Sequence, residues 1–340
     1  MTGPTISIPS VPHGERRPLW SVMIPTYNCA GYLRATLESV LSQDPGPDVM
    51  QIEVVDDHSS RDDPRAVVEK VGGGRVSFYR QRENVGNTKN FDTCLQRARG
   101  HLVHLLHGDD CVRPGFYARL EAAFASKPDI GAAFCRYAVM DEDGNPIRLA
   151  PLEQAVAGVI PDWLARIASG QRLQTPAMVV RRSTYEHLGG FAHAITYCED
   201  WEMWVRIGAH YAVWYEPEPL ALYRVHKRSL SGRMLRTGEN VQYLRRVIEM
   251  NRALLPRDRV DEITRQALRN TAAAAVRRSL RLLRSGDVTG ARAQFREALT
   301  CNRSPVVLGG AASSVVIGAA AGLGRAVLST LGRGPGAQGT

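Results

Sequence analysis

The chain lacks most of the marks that would settle its class at once. Its six cysteines, Cys29, Cys94, Cys111, Cys135, Cys198 and Cys301, include no CxxC pair. Neither a structural zinc nor a disulfide framework is therefore expected, and free thiols in a reducing cytosol are. There is no zinc-finger spacing and no motif interleaving aromatic and basic residues, so no nucleic-acid partner is expected. No basic segment followed by an apolar core opens the chain, so no signal peptide is read and a cytoplasmic location is expected. What is present is ordinary for a soluble protein: 340 residues, 44% hydrophobic, enough for one large α/β domain and an appendage. The net charge of +9 leans on arginine in the last third, which suits an anionic substrate or an anionic membrane surface.

The most informative stretch is His104-Leu105-Leu106-His107-Gly108-Asp109-Asp110. The run from Leu102 to Leu106 reads as a buried strand that stops in a glycine and two carboxylates, with Pro114 suited to the first turn of the next helix. Acids at the C-terminal end of a strand stand where open α/β sheets bind ligands. Adjacent carboxylates repel, and burying both is costly unless a cation or hydrogen bonds compensate. A divalent cation holding a diphosphate meets that need, and oxygen ligands suit Mn2+ or Mg2+. The alternative is a solvated turn with two surface acids.

Read in order, residues 1–17 are rich in Pro, Gly and Ser and are expected to be disordered. Strands are predicted over Trp20–Ile24, Gln51–Val55, Arg75–Tyr79, Gly131–Met140, Ala177–Arg181, Val213–Trp214 and Leu220–Val225. Helices are predicted over Gly31–Gln43, Pro64–Val71, from about Phe91 with Gly100 as its stop, over Phe116–Ala125 and Ile160–Ala168, and after a capping box at Ser183 and Glu186. Glu199-Asp200-Trp201 opens another, strongly patterned helix. Alternation of strand and helix argues a mostly parallel sheet. Beyond Ser231 only helices follow, with Ser285-Gly286-Asp287 turning a hairpin. Ser304–Gly324 carries no charge and is long enough to span a bilayer, yet is rich in Gly, Ala and Ser, which favours a surface-associated helix over a span.

Several of these pieces together resemble a known family. Ser21-Val22-Met23-Ile24-Pro25-Thr26-Tyr27-Asn28, Val54-Val55-Asp56-Asp57-His58-Ser59, Asn84-Val85-Gly86, Gly108-Asp109-Asp110, Glu199-Asp200-Trp201 and Leu222-Tyr223-Arg224-Val225-His226 stand in the order and spacing of a family 2 glycosyltransferase. The resemblance covers about residues 18–232. It implies an α/β GT-A nucleotide-diphospho-sugar transferase fold, a mostly parallel central sheet flanked by helices, with a helical C-terminal extension. The expected organisation is a disordered 1–17, a GT-A domain over 18–232, a helical region over 233–303, an apolar small-residue segment over 304–331 and a disordered 332–340.

The resemblance also implies roles. Pro25 and Tyr27 pack against a nucleotide base, Asp57 accepts a hydrogen bond from it, and Lys89 points toward the nucleotide or its phosphates. Asp56 supports the loop, and Ser59 and Asp62 are left to helix capping. Asp109 and Asp110 match the metal and ribose-diphosphate motif. Where the family often has an acid two positions earlier, this chain has His107, as a ligand to the metal or a hydrogen-bonding partner of the ribose. His226 is a third metal ligand or a donor to phosphate. Asp200 is the catalytic base, Glu199 and Trp201 lie on the acceptor side, and Trp204 and Ile207 pack in the core.

The implied reaction is inverting transfer of a sugar from a nucleoside-diphosphate sugar donor to an acceptor hydroxyl, assisted by Mn2+ or Mg2+. The acceptor class is a glycan, a lipid-linked sugar or a small metabolite, in polysaccharide, surface-glycan or glycoconjugate biosynthesis. The place is the cytoplasm, with peripheral association at the inner face of the membrane left open. Two alternatives stand beside it: a nucleotidyltransferase, which would release pyrophosphate, and a sugar-nucleotide-binding scaffold without catalysis.

Overall fold

The structure is a computed structural model, and it describes residues 5–12, 14–226 and 230–302. The first half alternates β1 (Trp20–Thr26), α1 (Ala30–Leu41), β2 (Met50–Asp56), α2 (Pro64–Gly72), β3 (Ser77–Arg80), α3 (Asn87–Arg97), β4 (Leu102–Leu105), β5 (Cys111–Val112) and α4 (Phe116–Ser126). The second half adds β6 (Ala132–Met140), β7 (Pro146–Leu149), β8 (Gly158–Val159), α5 (Trp163–Ala168), β9 (Met178–Arg181), α6 (Arg182–Leu188), α7 (Glu199–His210) and β10 (Val213–Arg224). Four further helices follow: α8 (Leu230–Thr237), α9 (Glu239–Asn251), α10 (Val260–Arg284) and α11 (Val288–Cys301).

All ten strands belong to one sheet, whose main path runs β3-β2-β1-β4-β9-β6-β10-β5. Strands β3, β2, β1, β4, β6 and β10 point one way; β9 and β5 run against them. The mostly parallel sheet expected from the alternation is thus present. Every residue of β1 and of β4 is buried, as strands covered by helices on both faces require. The order β3-β2-β1-β4 means the chain leaves β1 to one side first and returns on its other side. That reversal opens a crevice beyond the C-terminal ends of β1 and β4, where doubly wound sheets take ligands.

Local chemistry explains the framing helices. Asp63 caps α2 by accepting from the backbone N–H of Ala66, Pro64 supplies the first turn, and Gly73 closes the helix with φ +51°. The start of α1 is capped from a distance, since Asp62 accepts from Ala30 N–H at 2.9 Å.

The structure differs from the expectation in five places. Gly100 does not stop α3, which ends at Arg97 with Ala98 extended. Gly100 is instead a close approach: a Cβ there would meet the Trp20 carbonyl carbon at 2.5 Å. Ser183 is not a cap, because α6 already starts at Arg182, and Glu186 pairs with Arg182. The two strands predicted around residues 213 and 220 are one strand, β10. Its register slips between Glu216 and Ala221, around Pro217 and Pro219, which cannot donate ladder hydrogen bonds. The short strands β5, β7 and β8 were not predicted. Finally, residues 5–12 lie against the domain. Ile8 is buried, the Ile6 carbonyl accepts from Gly190 N–H and the Pro9 carbonyl accepts from Arg182.

The helical region predicted after Ser231 shares the main core, to which it contributes Val247, Ile248, Ile263 and Ala267. A small second cluster joins Val241, Ala272, Ala275, Val276, Ala298 and Cys301. Among the described residues no helix is long and apolar enough to cross a membrane. The predicted segments 304–331 and 332–340 lie outside the described residues.

Candidate functional site

The crevice beyond β1 and β4 is built by backbone first. Gly108 N–H donates to the Pro25 carbonyl at 3.0 Å, tying the turn after β4 to the end of β1. A Cβ on Gly108 would meet Thr26 Oγ1 at 2.8 Å and Cys29 Sγ at 3.1 Å, so only glycine permits this approach. The turn then presents His107, Asp109 and Asp110, whose ligand atoms all lie within 4.8 Å of one another.

Strand β10 closes the other side. His226 Nε2 lies 3.0 Å from Asp109 Oδ2. The backbone N–H of Arg224 donates to Asp110 Oδ1 at 2.8 Å. The Arg224 guanidinium donates to the carbonyls of Asp109, Asp141 and Glu142 and lies over the Tyr32 ring, 4.8 Å from its centroid. That ring is also 4.9 Å from the imidazole of His226. His107 stacks on Phe91 at 5.2 Å.

His107 Nε2 and Asp110 Oδ2 are buried without a hydrogen-bond partner, Asp110 Oδ2 having only His107 Nδ1 at 3.7 Å. Buried polar atoms are nearly always satisfied, so orphans at a strand end mark a place where something else binds. Burial pushes Asp110 well above the usual carboxylate range, and the neighbouring Asp109 adds to it. Burial would raise Asp109 too, but the hydrogen bond with His226 and the charges of His107 and His226 outweigh it and hold it below the usual range. Burial lowers His107 against the pull of Asp109, which favours the unprotonated imidazole that a metal needs. An imidazole, two carboxylates and two orphaned atoms fit a divalent cation of the Mn2+ or Mg2+ kind.

A second group of acids opens α7. Asp200 Oδ2 accepts from Gln171 Nε2 at 3.0 Å and from Thr175 Oγ1 at 3.1 Å. Asp200 Oδ1 accepts from the Trp201 N–H at 2.7 Å. Burial raises Asp200 to about 6. Glu199, raised by burial and by Asp200 to about 8, accepts from Asn87 Nδ2 at 2.5 Å and has Oε2 buried without a partner. Just ahead of them Cys198 holds φ +62°. Asn28 (φ +52°) and His58 (φ +60°), also non-glycine, sit at the ends of β1 and β2. Such backbone persists where the surroundings hold it, commonly at functional loops.

Each residue singled out in the sequence has a definite place. Tyr27 is 45% exposed at the crevice edge. Pro25 is buried within β1, so of the pair only Tyr27 offers a ring to a base. Asp56 accepts from Ser59 N–H and Oγ and pairs with Arg80, which is loop support. Asp57 supports a loop as well: it accepts from Val85 N–H, Gly86 N–H and Asn84 Nδ2, while burial raises it against the pull of the Val85 and Gly86 hydrogen bonds. Lys89 stands exposed in the first turn of α3. Trp201 lies in the first turn of α7. It is 1% exposed, and its indole N–H donates to the Ile167 carbonyl, so it packs in the core with Trp204 and Ile207.

Sequence reasoning missed Asn87, Gln171, Thr175 and the guanidinium of Arg224. Only Arg224 had a signal, as part of the quoted motif around Tyr223. The others are polar residues in loops or at helix starts, ordinary in sequence and selected only by contact.

Comparisons with known proteins bear on the family and the fold. Residues 21–174 match the family described as Glycosyl transferase family 2. An uncharacterized protein of Mycobacterium tuberculosis is 28% identical over 251 residues, 68% of this chain and 75% of its own. Among solved structures, TarS 1-349 of S. aureus in complex with UDP-GlcNAc superposes with a TM-score of 0.59 at 17% identity, covering 82% of this chain and 90% of that one. A mannosyltransferase of Pyrobaculum calidifontis in complex with GDP-Man and Mn2+ gives 0.56 at 19% identity, covering 92% and 83%.

Proposed function

Because the chain is a family 2 glycosyltransferase with the GT-A fold, we propose that it moves a sugar, with inversion, from a nucleoside-diphosphate sugar to an acceptor hydroxyl. The observation that carries this reading is the pair of acid clusters. One, with orphaned atoms, lies at the crevice; the other opens α7 with a carboxylate poised near neutrality.

In this reading Tyr27 stacks on the base and the loop fixed by Asp57 borders it. His107, Asp109 and Asp110 would hold Mn2+ or Mg2+, with His226 orienting Asp109 or joining the ligand set. When bound, the cation supplies positive charge beside a leaving diphosphate. Lys89, exposed and near the Asn84-Val85-Gly86 turn, reaches toward the phosphates. Asp200 takes the acceptor proton as the oxygen attacks the anomeric carbon. The bond from that carbon to the diphosphate breaks, and its electron pair leaves with the nucleoside diphosphate. One displacement needs no enzyme nucleophile. Glu199 borders the acceptor. The setting is glycan or glycoconjugate biosynthesis in the cytoplasm.

The test is an assay of nucleoside diphosphate release from UDP-GlcNAc, GDP-mannose and related donors, with and without Mn2+. Metal-stimulated release supports the reading. Pyrophosphate as the product would replace it with nucleotidyl transfer, and binding without turnover would leave a scaffold.

A further inference from the structure

The C-terminal helices do more than cover the core. They hold both arms of the segment that carries Glu199 and Asp200. On one side Asn270 of α10 donates to the Ser169 carbonyl at 2.9 Å, two residues before Gln171, which itself donates to Asp200. On the other side Thr196 donates to the Tyr243 hydroxyl of α9 at 2.9 Å, and the rings of Tyr197 and Tyr243 lie 6.1 Å apart.

Two turns along α10 from Asn270, roughly 12 Å, stands Arg278. Its Nη1 is buried and has no hydrogen-bond partner. No carboxylate pairs with it among the described residues, nor with Arg277 or Arg281 beside it. Its electrostatic neighbours are Tyr197 and Cys198, the two residues immediately before Glu199. The Cys198 thiol in turn feels Asp200, Glu199 and Arg278 together. Burial depresses the guanidinium; Tyr197 and Cys198 oppose that, and Arg281 and Arg277 reinforce it. A half-buried guanidinium whose buried Nη1 has no hydrogen-bond partner, with two exposed arginines beside it on the helix, is unfavourable in the unliganded protein. It becomes favourable when an anion with more than one charge arrives, and a guanidinium fork matches a phosphate in shape and charge.

We propose that Arg278, with Arg277 and Arg281, forms the anion subsite of the acceptor, so that the molecule receiving the sugar carries a phosphate near the hydroxyl presented to Asp200. This rests on the transfer reading above, since it names the class of acceptor for that site. The donor's own phosphates are a poor fit to this position, because they belong with the acids after β4 and not with the segment before α7. The phosphate has two sources, a lipid phosphate or a water-soluble phosphorylated sugar or polyol.

The experiment is a binding titration of the full chain in EDTA, which removes cation-mediated binding at the crevice. The probes are decyl phosphate below its micelle concentration and glycerol 3-phosphate, read by isothermal calorimetry. Saturable binding is expected for wild type, about ten-fold weaker in Arg278→Gln, with Arg278→Lys intermediate. Tighter binding of decyl phosphate assigns a lipid source; equal binding assigns a soluble one. The same affinities in Asp109→Asn as in wild type are expected, and a loss there would overturn the assignment by moving the anion to the crevice. Absence of saturable binding by wild type would overturn it whether or not the Arg278 variants fold. Failure of nucleoside diphosphate release from every donor is the separate result that removes the transfer reading. Full-rate transfer to a phosphate-free acceptor by Arg278→Gln would overturn this proposal and leave that reading standing.

Discussion

Asn87 Nδ2 donates to Glu199 Oε1 across 2.5 Å, joining the start of α3, just after the Asn84-Val85-Gly86 turn, to the start of α7. That turn is anchored on its other side, because Asp57 accepts from the backbone N–H groups of Val85 and Gly86. A short path of hydrogen bonds, joined by the Gly86–Asn87 peptide link, thus connects Asp57, just after β2, to the acids that open α7. Thr88 adds a parallel tie by donating to the Ile195 carbonyl at 3.0 Å. The proposed donor and acceptor sides are therefore held by one element, the N-terminus of α3.

Replacing Asn87 by Ala tests that link. Glu199 would lose the hydrogen bond that offsets its burial, leaving a buried carboxyl with neither oxygen satisfied by a side chain. The expected cost is about 1–3 kcal/mol of stability, seen as a melting temperature lower by several degrees, and transfer should slow about ten-fold. A variant with wild-type melting and turnover would show that the two sides are positioned independently.

The acids of α7 also set a pH dependence. Asp200, at about 6, must be ionised to accept a proton, so transfer should rise through pH 6 and level off above it. Stability runs the other way. Both carboxyls are raised above their unfolded values, so the unfolded chain releases protons first and stability falls as pH climbs from about 4, the ordinary carboxylate value, through the folded values of about 6 and 8. Melting curves from pH 5 to 9 should fall less steeply for Glu199→Gln than for wild type. Equal slopes would place the raised groups elsewhere.

Much of this site was legible in sequence, for a physical reason. Asp109, Asp110, Asp57 and Asp200 stand where an apolar run stops or a helix starts, and such boundaries can be read from residue type alone. Trp201 could not be placed that way. Its neighbours on α7 give no hint that its indole reaches the Ile167 carbonyl across a gap of 34 residues. Gly100 looked like a helix stop because helix stops favour glycine. Its actual constraint, the backbone of Trp20 and Ser21, is a contact between elements. Two separate strands were expected where the structure has β10, because the pairing with β6 that carries the ladder past Pro217 and Pro219 with a shifted register is a contact between elements.

The cation site predicts a charge-sensitive loss of donor binding. Asp110 is buried with one oxygen lacking a hydrogen-bond partner, and a cation would offset the burial and the Asp109 repulsion that raise it. Asp110→Asn keeps the shape and removes the charge. Donor affinity in Mn2+ should fall roughly 10–100-fold, the scale on which groups supporting a metal matter, and added Mn2+ should no longer strengthen binding. Calorimetry in two buffers of different ionisation enthalpy should show proton release on Mn2+ binding to wild type. An unchanged metal response in both Asp109→Asn and Asp110→Asn would remove the metal from the site.

The proposed base is tested by Asp200→Asn. The amide keeps the helix start and can still accept from Gln171 or Thr175, so folding should change little; the charge–dipole contribution lost at the N-terminus of α7 is about 0.3–1 kcal/mol. Donor affinity should stay near wild type while turnover falls roughly 10²–10⁴-fold. Retained turnover with the true acceptor would move the base to Glu199. A fall in donor affinity would instead place Asp200 with the diphosphate.

Arg224 separates side chain from backbone in the same region. Its backbone N–H holds Asp110 Oδ1 whatever the side chain is, whereas its guanidinium alone gathers the carbonyls of Asp109, Asp141 and Glu142. It also lies on the Tyr32 ring that backs His226. Lysine retains the charge but cannot present several donors in a plane, so Arg224→Lys leaves at least two of these carbonyls without their partner. Loss of charged hydrogen bonds of this kind should destabilise the chain by about 3 kcal/mol, a drop of several degrees in melting temperature. The turn carrying Asp109 and Asp110 would then lose its side-chain tie to the hairpin between β6 and β7 while keeping the Arg224 backbone bond, the Gly108–Pro25 bond and the His226 contact, and donor affinity in Mn2+ should weaken about ten-fold. If Arg224→Lys melts lower but binds donor and Mn2+ as wild type does, the guanidinium only braces the hairpin between β6 and β7. If binding weakens without a change in melting, its role is confined to aligning the two acids.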